Sequence, residues 1–321
     1  MTKRFSIAVV TMAMLAAGLF VATNVSPARG ACAESVSRIA YAQRFECIST
    51  VWVMNADGTG ATQVSIPYDS VEGTSWSPDQ STLAFGAQSD LGFHINLLDV
   101  ASGGITQLTD DSSYNSYPSY SPDGSRMLFV SDRSGAKELW VMNVDGSTPT
   151  KLTSFNSTVF SASYSPDASK IVFSSVKDAD FEIYVMDADG SNVHRLTTHT
   201  GIDYEPAWSP DGTRIVWARE DEPSMNIWTM NADGTSPTQV EFARCLQSHA
   251  PVWSPDGSRI LYSYTDFVTS SLRSVSVTDA TDELTLLTVD PVELLATSWS
   301  PAQAEPTTTT TESPAVPAFT C

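Results

Sequence analysis

The sequence predicts an all-β chain, a six-bladed β-propeller of four-stranded antiparallel blades, closed by three N-terminal strands plus one C-terminal strand. Three observations predict it. A Trp/Tyr-Ser-Pro motif, followed by Asp in all copies but the last, begins at Trp76, Tyr120, Tyr164, Trp208, Trp253 and Trp299, with spacings of 44, 44, 44, 45 and 46 residues. Each period holds four short β-branched or aromatic runs separated by turn residues. Past the first thirty residues, no segment sustains a 3.6-residue apolar period. Near-constant periods of this length mark a repeat architecture.

The fourth repeat supplies the elements in order. Glu205 to Trp208 is strand A, and Ser209-Pro-Asp-Gly212 is a tight turn in which Pro fixes φ and Gly accepts positive φ. Arg214 to Trp217 is strand B, and Asn226 to Met230 is strand C. Asn231-Ala-Asp-Gly234 is a hairpin turn, and Thr238 to Val240 is strand D. At the start, Arg38 to Tyr41, Trp52 to Met54 and Thr62 to Val64 read as B, C and D with no strand A before them. At the end, Trp299-Ser-Pro301 reads as an A with nothing after it. These pieces complete one blade, and residues 38–301 hold six periods of 44. A closed ring removes the strand edges that otherwise invite aggregation.

Trp-Ser-Pro-Asp-Gly, an Ile-Ala-Phe-like strand and then Val185-Met-Asp-Ala-Asp-Gly190 resemble the TolB-type β-propeller repeat over essentially all of 38–301. TolB itself carries a further N-terminal domain. Here a handful of residues separate the leader from the first strand, so the resemblance implies the propeller and not TolB's role in the cell envelope. The repeat is also similar to the propeller of prolyl-oligopeptidase-type peptidases. Those add a hydrolase domain, and no Gly-x-Ser-x-Gly elbow occurs here.

Residues 1–31 read as a signal peptide: Lys3 and Arg4, an apolar run from Ile7 to Ala22, then small residues around Pro27. Arg29 occupies the place where a lipobox before Cys32 needs an aliphatic residue. Residues 302–321, rich in Pro and Thr, read as a flexible tail. The expected location is secreted, or at the periplasmic or cell-envelope exterior, with no membrane span once the signal is cleaved. Export permits disulfides. Cys47 and Cys245 fall in loops on the same face of neighbouring blades, while Cys32 and Cys321 flank the closing blade. The expected pairs are therefore Cys47–Cys245 and Cys32–Cys321, with Cys32–Cys47 as the alternative.

The chain of 321 residues has 17 Lys+Arg against 37 Asp+Glu, a net charge of −20. Such acidity excludes a nucleic-acid binder, which must neutralise phosphates. Many Asp residues sit in A–B and C–D turns for turn geometry. The loops joining B to C and D to A carry an excess of acids over Arg44, Arg133, Lys137, Lys177, Arg219 and Arg244, so that face is acidic and suited to cationic partners.

Candidate site residues lie where the strands A begin: Glu72, Tyr117, Ser161, Glu205, Ala250 and Ala296, with Tyr114, Phe160, Asp203, Tyr204 and His249 nearby. The binding set is Glu72, Tyr117, Phe160, Asp203, Tyr204, Glu205 and His249. Glu72 and Glu205 stand three blades apart, across the axial channel. The leading expectation is a non-enzymatic, monomeric scaffold that binds a protein, peptide or glycan on its acidic loop face. The alternative is a propeller lyase or hydrolase using Glu72, Glu205 and His249 in the channel. Two features would separate them: perturbed carboxylates and His gathered in one pocket for the enzyme, a broad aromatic or acidic patch for the binder. No catalytic residue, cofactor or metal ligand set is assigned. His94, His194, His199 and His249 show no zinc spacing, and Asp187-Ala-Asp-Gly lacks the frame of an EF-hand. A Ca²⁺ ion in the axial channel, serving rigidity, is the one metal considered.

Overall fold

The computed structural model describes residues 37–301 apart from 46–47, 65–67, 90–91, 179, 222–223, 241–246, 267–268 and 290–292. The signal segment, the tail and all four cysteines, hence both expected disulfides, lie outside the described residues.

Twenty-four strands and no helix are found among the described residues. Blade 1 is β4 (Ser70–Trp76), β5 (Thr82–Ser89), β6 (Gly92–Asp99) and β7 (Ile105–Gln107). Blade 2 is β8 (Asn115–Tyr120), β9 (Arg126–Ser131), β10 (Glu138–Asn143) and β11 (Thr150–Lys151). Blade 3 is β12 (Val159–Tyr164), β13 (Lys170–Asp178), β14 (Asp180–Asp187) and β15 (His194–Arg195). Blade 4 is β16 (Asp203–Trp208), β17 (Arg214–Asp221), β18 (Ser224–Asn231) and β19 (Thr238–Gln239). Blade 5 is β20 (Gln247–Trp253), β21 (Arg259–Thr265), β22 (Ser270–Ser276) and β23 (Glu283–Val289).

The sixth blade closes the ring with the predicted three-plus-one composition. β24 (Glu293–Trp299) pairs with β1 (Arg38–Phe45), which pairs with β2 (Ile48–Asn55) and through it with β3 (Thr62–Gln63). Side chains extend the seam. Arg38 N donates to Ser300 Oγ at 2.8 Å, and Trp299 Nε1 donates to Ser37 Oγ at 2.7 Å. Gln80 Nε2 of blade 1 donates to the Pro301 carbonyl at 2.7 Å, and Thr297 Oγ1 to the Ala250 carbonyl of blade 5 at 2.7 Å.

The core follows from strand alternation. Strands B and C are covered on both faces by neighbouring blades, so they carry the largest buried side chains: Trp217, Tyr41, Tyr184, Tyr262, Phe85, Phe129 and Phe173. Each is worth roughly 1.5–3 kcal/mol when removed from water. The clusters these residues form link successive blades, for example Leu128 and Val141 of blade 2 with Phe173 and Tyr184 of blade 3.

The Ser-Pro-Asp turns form one repeated network. In Ser121-Pro-Asp123-Gly-Ser125, Asp123 Oδ1 accepts from Ser121 Oγ at 2.6 Å and from the Ser125 amide at 3.0 Å. Asp79, Asp167, Asp211 and Asp256 repeat this. The serine hydroxyls above all, then the backbone amides, favour the charged form, and Asp123 and Asp167 are lowered to about 2. A depressed carboxyl stabilises the fold above its unfolded value near 4 and loses that contribution as pH falls through the folded value. Melting temperature is therefore expected to hold above about pH 4 and to fall between about pH 4 and pH 2. Asp123→Asn/Asp167→Asn should flatten that fall; an unchanged slope would remove these turns as its cause.

The C–D turn glycines have a second duty. Gly58, Gly146, Gly190 and Gly234 have φ of 84–88°, and a Cβ there would lie 2.5, 2.8, 2.7 and 3.2 Å from the carbonyl oxygens of Leu286, Leu108, Leu152 and Leu196. Each of those leucines belongs to the preceding blade, so the turn seats one blade's backbone on the next. Two junctions lack this seat, and both have strand pairing across the blades instead: Ser49 with Tyr68 between blades 6 and 1, and Met225 with Gln247 between blades 4 and 5. Gly146→Ala is expected to cost about 2 kcal/mol or more, lowering the melting temperature by about 5 °C. Gly103→Ala is the control: its φ is 72° but nothing lies within 4 Å. Equal shifts in the two variants would show that the seat contributes nothing beyond backbone strain.

Candidate functional site: the axial cavity

The six innermost strands β4, β8, β12, β16, β20 and β24 surround the axis. At the end where they begin, a cavity of about 370 Å³ is lined by all six, and by Arg44 from β1. Pro118, Ala162, Pro206, Pro251 and Val252 give it apolar walls, and Glu72, Tyr117, Glu205 and His249 contribute polar groups beside several serine and threonine hydroxyls.

A repeated irregularity builds the wall. Register shifts interrupt strand A in blades 1 to 5, at Glu72/Thr74, Ser116/Ser119, Val159/Ala162, Tyr204/Ala207 and His249/Val252. A bulge of this kind re-aims side chains at a barrel or ring rim. Gly73, Tyr117, Glu205 and Ala250 sit at these bulges with φ of 67, 53, 55 and 52°. The residue of blade 1 equivalent to Tyr117 and Glu205 is thus Gly73, one place along from Glu72. A Cβ on Gly73 would lie 2.8 Å from the Cα of Tyr117.

The candidate residues divide into three groups. Glu72, Tyr117, Glu205 and His249 come together in the cavity wall. Glu72 accepts from the Tyr114 hydroxyl, and the Lys137 ammonium lies 3.6 Å from the centre of the Tyr114 ring. Glu205 Oε2 accepts from the Ala250 amide at 2.6 Å. Phe160 and Tyr204 belong to an aromatic cluster beside the cavity. The Phe160 ring lies 4.4 Å from Tyr117, 6.1 Å from Phe181 and 6.3 Å from Tyr204, while the Tyr204 hydroxyl contacts Met225 Sδ. Asp203 is elsewhere. Fully buried inside blade 4, it accepts from Arg219 Nε at 2.7 Å, Arg219 Nη2 at 3.0 Å and Trp217 Nε1 at 2.8 Å.

Electrostatics distinguish the cavity groups. Glu205 is part-buried in the cavity wall. Desolvation raises its carboxyl to about 7 against the pull of the Ala250 amide. The same burial lowers His249 to about 4, so its imidazole is neutral at physiological pH. Burial first, then the charge of Glu72, pushes the Tyr114 and Tyr117 hydroxyls well above their ordinary value, and Glu205 adds to the effect on Tyr117. Both tyrosines are therefore neutral donors.

Two acids of this end of the molecule are buried instead of adding to the acidic face. Glu138 accepts from Thr153 Oγ1 and, at 2.8 Å, from the Asn156 amide. Glu182 accepts from Thr197 Oγ1 and Arg195. The signal for this was present: Thr109, Thr153 and Thr197 recur at 44 residues, and each hydroxyl accepts from a strand-C amide, at 3.0, 2.9 and 2.9 Å. Among the described residues, no group of three or more His, Cys, Asp or Glu is placed to hold a metal ion. None of their helices is long and apolar enough to cross a membrane.

Repeat, ring and cavity define a β-propeller. A family model described as the TolB beta propeller domain matches residues 23–163 and 150–304. The chain belongs to that family. Among solved structures it is similar to TolB from Acinetobacter baumannii, with 22% identity over 83% of this chain and 67% of that one and a TM-score of 0.74. It is also similar to a chain of a nidogen/laminin complex, with 13% identity over 84% and 100% and a TM-score of 0.67. An oligogalacturonate lyase in complex with manganese matches with 15% identity over 79% and 74% and a TM-score of 0.53. No curated protein matches the chain.

Proposed function

We propose that this protein is a secreted, monomeric, non-enzymatic scaffold that binds a protein or peptide partner on the face where the axial cavity opens. One observation carries the reading. Of the four large hydrophobic side chains exposed among the described residues, three lie at this end: Phe45 (50% exposed) and Ile48 (53%) on one hairpin, and Ile202 (37%) in the loop before β16. Exposed apolar groups beside a concave polar site suit a macromolecular partner. The nidogen/laminin likeness is in keeping with a propeller that joins another protein, and the signal-like N-terminus with export.

The test is capture from the source organism's extracellular fraction, followed by affinity measurement with the purified partner. Phe45→Ser/Ile48→Ser should weaken binding about tenfold or more, as loss of a contact patch does. Unchanged affinity would remove this face.

A second reading, a lyase or hydrolase, is favoured by the meeting of Glu205, Glu72 and His249 in one cavity, where the proton affinities of Glu205 and His249 are shifted. Against it, the hydrogen bonds of the two carboxylates run to a tyrosine and to a backbone amide, and neither runs to His249. A carboxylate–histidine pair is thus not formed by the described bonds of these three residues. Turnover of uronate oligomers by the wild type, abolished in Glu205→Gln, would establish this second reading instead.

A further inference from the structure

We infer that the axial cavity receives a primary ammonium group on an aliphatic stem, a lysine side chain or amino terminus of the bound partner, and that Glu205 is its anchor. The inference rests on the binding reading above and names what that site recognises.

Three features converge on this chemistry. Glu205 stands in the wall of the cavity with one backbone donor and, among the described residues, no cation bonded to it. A part-buried carboxylate so placed retains acceptor capacity that an incoming donor can fill. Glu72 adds a second carboxylate to the same wall, against Arg44 as the one cation among the described lining residues, so the lining favours positive charge. Pro118, Pro206, Pro251, Val252 and Ala162 give the wall an apolar share suited to methylenes, beside serine and threonine hydroxyls such as those of Ser161 and Ser163.

The form of the cation follows from Glu205 and the walls beside it. Its Oε2 accepts the Ala250 amide and keeps one lone pair beside those of Oε1, so an incoming cation finds acceptors there. An ammonium on a methylene stem, a point charge with rotatable donors, needs no fixed fork geometry between the apolar walls, which favours it over the planar guanidinium. The charged and titratable groups around Glu205 are Glu72 from β4, Tyr117 from β8, His249 from β20, Arg44 from β1, and Tyr204 beside it, the last also influenced by Glu220. His249 and the tyrosines are neutral near pH 7, and desolvation raises Glu205 to about 7, so its carboxyl changes charge there.

The test uses the folded full-length protein and calorimetric titration with n-pentylamine, n-pentanol, and blocked tripeptides bearing either lysine or acetyl-lysine. The amine and the lysine peptide should bind saturably, and the alcohol and the acetylated peptide at least about tenfold more weakly. Glu205→Gln keeps the shape and an acceptor, and should lose at least about tenfold in amine affinity without loss of melting temperature. Binding should weaken about tenfold from about pH 8 to about pH 6 as Glu205 takes up a proton, and should release a proton near pH 7.

Equal binding of amine and alcohol, no saturable heat up to about 10 mM amine, or an unaffected Glu205→Gln variant would overturn the inference. Should Glu205→Gln alone lower the melting temperature, Glu205→Met, which also lacks the charge, decides: retained amine binding overturns the anchor role. A partner still captured by Glu205→Gln with full affinity would sink this inference while leaving the binding reading standing. A partner insensitive to Phe45→Ser/Ile48→Ser would sink the binding reading.

Discussion

A chain ended after Val289 is expected to show no cooperative unfolding transition and to aggregate, although it keeps 23 of the 24 described strands. The missing piece, β24, is the innermost strand of blade 6. Its loss bares the edge of β1 along the pairs Ile39–Trp299 to Arg44–Glu293. It also uncovers Ile39, Tyr41 and Leu272, which pack with Leu294 and Trp299. The bonds from Gln80 and Thr297 that tie blade 6 to blades 1 and 5 go with it. An open, apolar edge strand is a template for pairing with another chain. Circular dichroism melting and gel filtration check the outcome. A permuted chain with residues 293–301 placed ahead of residue 37 should recover the transition. If the truncated chain melts cooperatively, closure by β24 is not what holds the ring.

The second large effect is at Arg219. Arg219→Met should destabilise by about 3–5 kcal/mol, which for a chain of this size lowers the melting temperature by about 10 °C. The Asp203 carboxylate has no exposure, and Arg219 supplies two of its three donors, leaving Trp217 Nε1 alone. The guanidinium also lies over the Trp217 and Trp228 rings at 5.3 and 4.6 Å, a contact that Met keeps only in part. Asp203→Leu/Arg219→Met removes both charges and should recover most of the loss, because an apolar pair of similar volume often matches a buried ion pair. Additive losses in the double variant would contradict the pairing argument.

The fold was legible because each blade writes the same punctuation. Trp/Tyr-Ser-Pro-Asp and Asn/Asp-x-Asp-Gly mark two turns, and the strands between them end within a few residues of where the turns require. The site was legible only in part. Tyr117 and Glu205 stand three residues before Tyr120 and Trp208, the place that Gly73 takes before Trp76, so Glu72 is the neighbour of the equivalent position on the same bulge. Asp203 reads as a rim charge, since a carboxylate in a loop-facing stretch is ordinarily exposed. Its burial depends on Arg219, sixteen residues on and opposite it across the β16–β17 pair. Glu138 and Glu182 mislead in the same way, each hidden by a threonine fifteen residues away. A charge count by loop cannot see such pairs. The proton affinities of Glu205 and His249 are likewise properties of enclosure, which exists only once six blades surround the axis.

The two kinds of blade junction give the ring a mechanical grain. Where a turn glycine rests on a neighbour's carbonyl, sliding one blade past another forces atoms into overlap, so the joint is stiff in shear. Where the joint is a strand pair, as at Ser49–Tyr68 and Met225–Gln247, it separates one hydrogen bond at a time. At the junction of blades 6 and 1 the strand pair is backed by the Gln80–Pro301 and Thr74–Ser298 hydrogen bonds and by packing of Val51 and Val53 on Trp76 and Phe85, so backbone pairing there takes the place that steric seating holds elsewhere in the ring.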